Sequence, residues 1–218
     1  MKHILIDLDG TLTDPKEGIV ACIEYALEKL GIAVPDSPPL ESYIGPPLLQ
    51  TFRELCHDDV IAEEGVRLYR ERFTDQGLYE NRVFDGIREN LQQLRQAQST
   101  LYVATSKPTV YSQRIIDHFG LNTYFKHVYG SELDGTRSDK TDLLAHIIST
   151  EKIAASDAVM IGDRRYDIVG ANNHGMRSVG VLWGYGSEDE LRDAGATALC
   201  AQPASLFDTV AKLFEKSS

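Results

Sequence analysis

Two aspartates two residues apart, Asp7 and Asp9, stand with Gly10 and Thr11 at the end of the short apolar run Ile4-Leu5-Ile6. Carboxylates this close repel each other, and beside a buried strand they also lose hydration, so a cation or a phosphoryl group is expected to compensate them. Gly10 lets the chain turn sharply and present backbone N–H groups to an anion. Ile4, Leu5, Ile6 and Leu8 form the kind of run that makes a strand buried on both faces. The chemistry expected is phosphate handling with a metal ion at the carboxyl end of a strand. For these residues alone an ordinary Asp-Gly turn is the simpler alternative. Further partners downstream decide between the two.

Three later segments offer such partners. The run Thr100-Leu101-Tyr102-Val103-Ala104 leads into Thr105-Ser106-Lys107-Pro108, where a hydroxyl and the following N–H can donate to phosphate oxygens. Thr and Ser also close strands and cap helices, which leaves a structural role open at Thr105 and Ser106. Ser138-Asp139-Lys140 opens a helix, with Asp139 as N-cap. A lysine in the first turn opposes the helix dipole, a local cost that points to a function, with an exposed ion pair to Asp139 or Asp142 as the alternative. Val159-Met160-Ile161 ends in Gly162-Asp163, and Asp167 follows one helical turn later, so both carboxylates can face one point. Oxygen ligands with water suit Mg²⁺.

These residues need elements to hold them. Asp14-Pro15 supplies an N-cap and a first-turn proline, after which Ile19, Val20, Ile23, Ala26, Leu27 and Leu30 recur at helical spacing up to Gly31. Pro35, Pro38 and Pro39 break the chain, and Ile44-Gly45-Pro46-Pro47 makes a second loop. A short helix through Leu48, Phe52 and Leu55 is expected next, then a longer one through Ile61, Val66, Tyr69, Arg70 and Phe73 to about Gly77. From Asp14 to about Arg82 no strand pattern occurs. After Phe84-Asp85-Gly86 the texture changes, and helical patterns alternate with strands at 100–104, 126–129, 158–161, 178–182 and 198–201. Repeated βα units predict an α/β fold, a doubly wound parallel sheet built from residues 1–14 and 83–218, with residues 15–82 inserted as an α-helical cap over the sheet's edge. In such sheets ligands bind at the carboxyl ends of strands, where Asp7, Thr105 and Asp163 fall. The glycines of Gly180-Val181-Leu182-Trp183-Gly184-Tyr185-Gly186 read as a flexible loop.

The chain has 218 residues and a formal net charge of -11, which argues against nucleic acid as a partner because phosphate backbones are bound by Lys and Arg clusters. Cys22, Cys56 and Cys200 are far apart and read as reduced structural thiols. The six histidines show no zinc spacing. No Gly-x-Ser-x-Gly elbow and no P-loop occur. The N-terminus enters a strand without a basic leader, and no apolar run approaches ~18 residues, so the expectation is a cytoplasmic protein, monomer or homodimer, with no membrane partner.

The strand leading into Asp7-Leu8-Asp9-Gly10-Thr11-Leu12 resembles the first motif of the haloacid dehalogenase superfamily of phosphohydrolases. Thr105 matches its second motif and Lys140 its third, although the Lys-Pro-x-Pro form often found there is Lys140-Thr141-Asp142-Leu143. Lys107 lies too close to Thr105 for that third role. Gly162-Asp163-Arg164-Arg165-Tyr166-Asp167 resembles the fourth. Across nearly the whole chain the sequence is most similar to phosphoglycolate phosphatases and their close relatives, including through the cap segment Tyr43-Ile44-Gly45-Pro46-Pro47-Leu48, whose Gly45 the resemblance brings to the substrate. The Gly-Asp-Arg-x-Tyr-Asp form also occurs in relatives described as nucleotidases. The resemblance implies a phosphatase acting on a small phosphorylated metabolite, with Asp7 as nucleophile and Asp9 as acid and base. It implies Mg²⁺ on Asp7, the Asp9 backbone carbonyl and Asp163, with Asp167 acting through waters or by orienting Lys140. Lys140, Thr105 and N–H groups near Gly10, Thr11 and Ser106 would hold the phosphate. A 5'-nucleotidase, a pyrophosphatase or a phosphotransferase of the β-phosphoglucomutase type are the alternatives; a dehalogenase would not need an acid at Asp9.

Overall fold

The computed structural model describes residues 2–215. The chain forms two compact units, Met1–Asp14 with Val83–Ser218, and Pro15–Arg82. In chain order the strands and α-helices are β1 (His3–Ile6), β2 (Thr13–Asp14), α1 (Lys16–Leu30), α2 (Leu48–Cys56), α3 (Asp59–Arg72), β3 (Arg82–Val83), α4 (Ile87–Gln96), β4 (Thr100–Pro108), α5 (Thr109–His118), β5 (His127–Ser131), α6 (Lys140–Glu151), β6 (Ala158–Gly162), α7 (Arg165–Asn173), β7 (Arg177–Val181), α8 (Glu188–Asp193), β8 (Ala198–Cys200) and α9 (Leu206–Glu215).

The six-stranded sheet of the first unit runs β5-β4-β1-β6-β7-β8, and every pairing is parallel. The chain builds outward from β1 through β4 to β5, then returns to β6 on the other side of β1. This reversal is the switch point of a doubly wound sheet, where the loops after β1 and β6 part to opposite faces and leave a crevice at the strands' carboxyl ends. The α/β class follows from the alternation seen in the sequence.

Ile4, Leu5 and Ile6 have no exposed surface, as a central strand covered on both faces requires. Burying each such side chain contributes roughly 1.5–3 kcal/mol, which offsets the cost of crowding carboxylates just beyond them. On one face Leu5, Tyr102, Ala104, Ala158 and Met160 pack against Leu143, Leu144 and Ile147 of α6 and Ala171 of α7. Those two helices begin at Lys140 and Arg165, so the contacts that bury the sheet also fix the helix starts near the crevice.

The second unit is helical: α1, α2 and α3, with α3 continued by a π-helical turn at Phe73–Gly77. Gly45 lies here, between the 3-10 helix Leu40–Tyr43 and α2, with φ +112°. Three local differences from the sequence reading have physical causes. Pro15, not Asp14, holds the N-cap position of α1, because the Asp14 carboxylate accepts from the Tyr185 hydroxyl instead. Strand β4 runs on to Pro108, its register with β5 slipping between Ala104 and Pro108 before Pro108 pairs with Ser131. The two-residue strands β2 and β3 pair as a separate sheet where the chain leaves and re-enters the first unit, too short to leave a periodic signal. Among the described residues no helix is long and apolar enough to cross a membrane.

Candidate active site

Asp7 follows β1 directly and stays in register with β6, its N–H donating to Ile161 O at 2.9 Å. Its Oδ1 accepts from Leu8 N at 2.8 Å. Asp163 follows β6, and Asp167 occupies the first turn of α7, its Oδ2 accepting from Arg164 N at 3.2 Å to close the helix start. One carboxylate oxygen from each of Asp7, Asp163 and Asp167 lies within 4.8 Å of the others, and all three residues are buried.

Lys140, the first residue of α6, reaches into this group. Its Nζ lies 2.7 Å from Asp167 Oδ1, 3.2 Å from Asp7 Oδ1 and 2.9 Å from Ala104 O. Three acceptors meet the three N–H donors of an ammonium. With only 4% of its surface exposed, Lys140 is not the solvent-facing partner of Asp139 or Asp142 that a helix-surface reading allows. Asp139 caps α6 instead, accepting from Thr141 N and Asp142 N.

The electrostatics follow from the imbalance. Burial alone would loosen the Lys140 proton, but Asp167 and Asp7 outweigh it and its pKa is raised. Asp163 is held well above the ordinary carboxylate value by burial, then by Asp7 and Asp167. Burial also raises Asp167, against the pull of Lys140. Three carboxylates share one ammonium, a deficit that one divalent cation would remove. The donors are all oxygen and all ionisable, the set that suits Mg²⁺. The residues therefore fit the ion.

Asp163 is enclosed by backbone. Thr11 Oγ1 donates to its Oδ1 at 3.3 Å, and Tyr185 N to its Oδ2 at 2.8 Å. A Cβ on Gly10, where φ is +78°, would stand 2.2 Å from Asp163 Oδ2, and one on Gly184 would stand 2.4 Å from the same atom. Only glycine fits at either position. After β7 ends at Val181, the stretch 182–186 is thus a strap closed over Asp163 rather than a flexible loop, and Trp183 Nε1 ties it to Thr11 O at 3.1 Å. Sequence reasoning missed Trp183, Gly184 and Tyr185 as site residues; the glycine spacing after a strand was the one signal for them.

The remaining candidates divide. Asp9 does not share its carboxylate with the three metal candidates; its Oδ2 lies 2.6 Å from Lys107 Nζ, with both side chains nearly buried. Burial holds the Asp9 carboxyl above its ordinary value, although Lys107 pulls the other way. The sequence metal set included Asp9 through its backbone carbonyl, and the carboxylate is engaged elsewhere. Thr105 is buried, and its Oγ1 accepts from Lys107 N at 3.3 Å. Ser106 O accepts from Ser131 Oγ at 2.8 Å. Gly10 N donates to Thr13 O at 2.8 Å, so this N–H closes the turn and is not left for a phosphate. The Thr11 hydroxyl supports Asp163. Gly45 belongs to the helical unit.

Residues 4–181 match the haloacid dehalogenase-like hydrolase family. A 5'-nucleotidase of Pseudomonas aeruginosa is 53% identical over 205 residues, covering 94% of this chain and 93% of its own length. The tyrosine-protein kinase PtkA of Mycobacterium tuberculosis is 38% identical over 196 residues, covering 90% of this chain and 67% of its own length. The crystal structure of a predicted phosphatase from Clostridium acetobutylicum superposes with a TM-score of 0.93 at 41% identity, covering 97% of this chain and 98% of that one. With the carboxylate cluster at the switch point of its sheet, the chain belongs to the haloacid dehalogenase-like hydrolase family and stands among its phosphatases.

Proposed function

We propose that this phosphatase is Mg²⁺-dependent and acts on 5'-nucleotides. The observation that carries the reading is the buried group of Asp7, Asp163 and Asp167 around one lysine, two positive charges short of balance. Mg²⁺ bound there by Asp7 and Asp163 would supply the missing charge and draw electrons from a phosphoryl oxygen. Asp7 attacks phosphorus in line and takes the phosphoryl group as an acyl phosphate. Asp9, whose carboxyl burial keeps above the usual range, protonates the leaving alcohol and later takes a proton from the attacking water. Lys140 steadies Asp7 and neutralises charge on the transferring group. Asp167 orients Lys140 through their 2.7 Å ion pair. Thr105 and Ser106 are proposed to face the substrate.

The 5'-nucleotide class is supported by the extent of similarity to the Pseudomonas 5'-nucleotidase and by the sequence Gly162-Asp163-Arg164-Arg165-Tyr166-Asp167. Phosphoglycolate, which the cap segment around Gly45 suggests, is the competing substrate. The test is phosphate release from nucleoside 5'-monophosphates, phosphoglycolate, a hexose phosphate, pyrophosphate and phosphotyrosine, with Mg²⁺ and with a chelator. The expected result is the highest kcat/KM on a nucleoside monophosphate and no turnover without the metal. A higher kcat/KM on phosphoglycolate would overturn the substrate class, and full activity in chelator would overturn the metal requirement.

A further inference from the structure

Each proposed catalytic aspartate has its own lysine. Lys140 attends Asp7 from the start of α6, whereas Lys107 meets Asp9 from the far end of β4. Lys107 makes this ion pair at 2.6 Å from Nζ to Asp9 Oδ2, and its backbone is fixed on both sides. Its side chain is 8% exposed, its backbone N–H is fixed to Thr105 Oγ1 at 3.3 Å, and its carbonyl accepts from Ser112 Oγ at 3.3 Å. Strand β5 crosses so close that a Cβ on Gly130 would stand 2.4 Å from Lys107 O. The register slip between Ala104 and Pro108 is what places Lys107 here. Meanwhile Asp9 Oδ1 is buried and has no hydrogen-bond partner among the described residues. A buried carboxylate with one oxygen clamped and the other bare costs free energy unless a ligand completes it.

We propose that Lys107 is a positioning residue for the reaction: it grips Asp9 Oδ2 so that Oδ1 is the atom that moves the proton in both half-reactions. The inference rests on the phosphatase reading above. In the first half-reaction an Asp7 oxygen bonds to phosphorus and the bond from phosphorus to the alcohol oxygen breaks. That bond's electron pair stays on the alcohol oxygen, which takes the proton from Asp9 Oδ1. In the second, the water oxygen bonds to phosphorus and gives a proton to Oδ1. The bond between Asp7 and phosphorus then breaks, and both carboxyl groups return to their starting states. Lys107 keeps its own protons throughout.

The test uses Lys107→Met, Lys107→Arg and Asp9→Asn, each with a nucleoside 5'-monophosphate, whose alkoxide needs an acid, and with p-nitrophenyl phosphate, whose phenolate does not. The ratio of kcat/KM between the two substrates is unaffected by any loss of folded protein. General acid catalysis contributes about 10²–10⁴-fold, so Lys107→Met should lose about 10²-fold in kcat/KM on the nucleotide and less than about fivefold on p-nitrophenyl phosphate. On the aryl substrate kcat and KM should fall together, because kcat/KM ends at the first irreversible step while the second half-reaction lacks its base. Lys107→Arg should recover part of the loss on the nucleotide. Equal losses on both substrates in Lys107→Met, or a rise in KM alone as for a phosphate-binding lysine, would overturn the inference while Asp9→Asn still discriminates between leaving groups. If Asp9→Asn failed to discriminate, the acid–base reading would be overturned together with the inference.

Discussion

Helix α6 carries an ionic cluster at each end, and the two differ in burial and in charge balance. At its last residue, Glu151 accepts from Lys126 Nζ at 2.5 Å, Tyr129 OH at 2.7 Å and Tyr102 OH at 3.2 Å, with His127 Nε2 at 3.5 Å. Burial would raise the Glu151 pKa, but the donors of Lys126 and Tyr129 outweigh it and hold the carboxyl below its ordinary value. At its first residue, Lys140 faces Asp7 and Asp167, and Asp163 stands beside them held well above the ordinary value. One carboxylate has several donors, and three carboxylates share one ammonium. The first arrangement is complete as it stands and holds β4, β5 and α6 together. The second is two positive charges short of balance, which marks it as the working end of the helix.

The largest way to break this contrast is to remove the lysine from the starved end. Lys140→Met should lower kcat by about 10³-fold, the scale of losing a charge-stabilising donor at a phosphoryl group. Steady-state turnover with Mg²⁺ checks it, and a loss under tenfold would mean that Lys140 only props the fold.

Next in size is the response to pH. Folded-state pKa values raised above the unfolded ones, as at Asp163 and Asp167, mean that the metal-free native state binds more protons than the unfolded chain. Its stability is therefore fullest below the ordinary carboxylate value of 3.8 as regards these groups, and declines as pH rises through the raised values. Melting curves of metal-free protein should show Tm falling between about pH 5 and 8, and saturating Mg²⁺ should flatten that fall by favouring the ionised carboxylates. A Mg²⁺ shift of the same size at every pH would contradict the starved-cluster account.

The smallest effect belongs to the satisfied end. Glu151→Gln should cost about 1–2 kcal/mol of stability at pH 7, since it weakens hydrogen bonds to a charged group, and should leave kcat within about twofold. The sign is opposite to that of the first cluster. A depressed folded pKa gives stability that is present above the unfolded value of 4.5 and is lost as pH falls through the folded one. The gap in denaturation midpoint between Glu151→Gln and the parent protein should thus close below about pH 4.

The two ends were unequally legible in the sequence. Asp7, Asp9, Asp163 and Asp167 stand at the ends of apolar runs, and the chain's periodicity places strands and helices around them, so local pattern was enough to bring them forward. Lys107 was set aside because it is only two residues from Thr105. The β4 bulge that puts it on Asp9 arises from long-range pairing with β5, which local spacing does not encode. Gly184 and Gly186 read as flexible because a glycine's freedom is visible in sequence, whereas the close approach of Asp163 to each of them is not. Asp14 looked like an N-cap because Asp-Pro is a capping signal, and a tyrosine 171 residues away in sequence took the carboxylate. Glu151 gave no signal at all, since its donors come from β4, the segment before β5, and β5 itself.

The central claim is that the incomplete cluster places the Asp7 carboxylate to take a phosphoryl group. Asp9→Asn keeps that carboxylate and removes the group that delivers and withdraws the proton, so p-nitrophenyl phosphate should still load Asp7 while water attack stalls. Mass spectrometry of rapidly quenched Asp9→Asn protein should then find one phosphoryl adduct, stable to acid and released by hydroxylamine, on the peptide containing Asp7. An adduct on Ser106, Thr105 or a histidine would contradict the account.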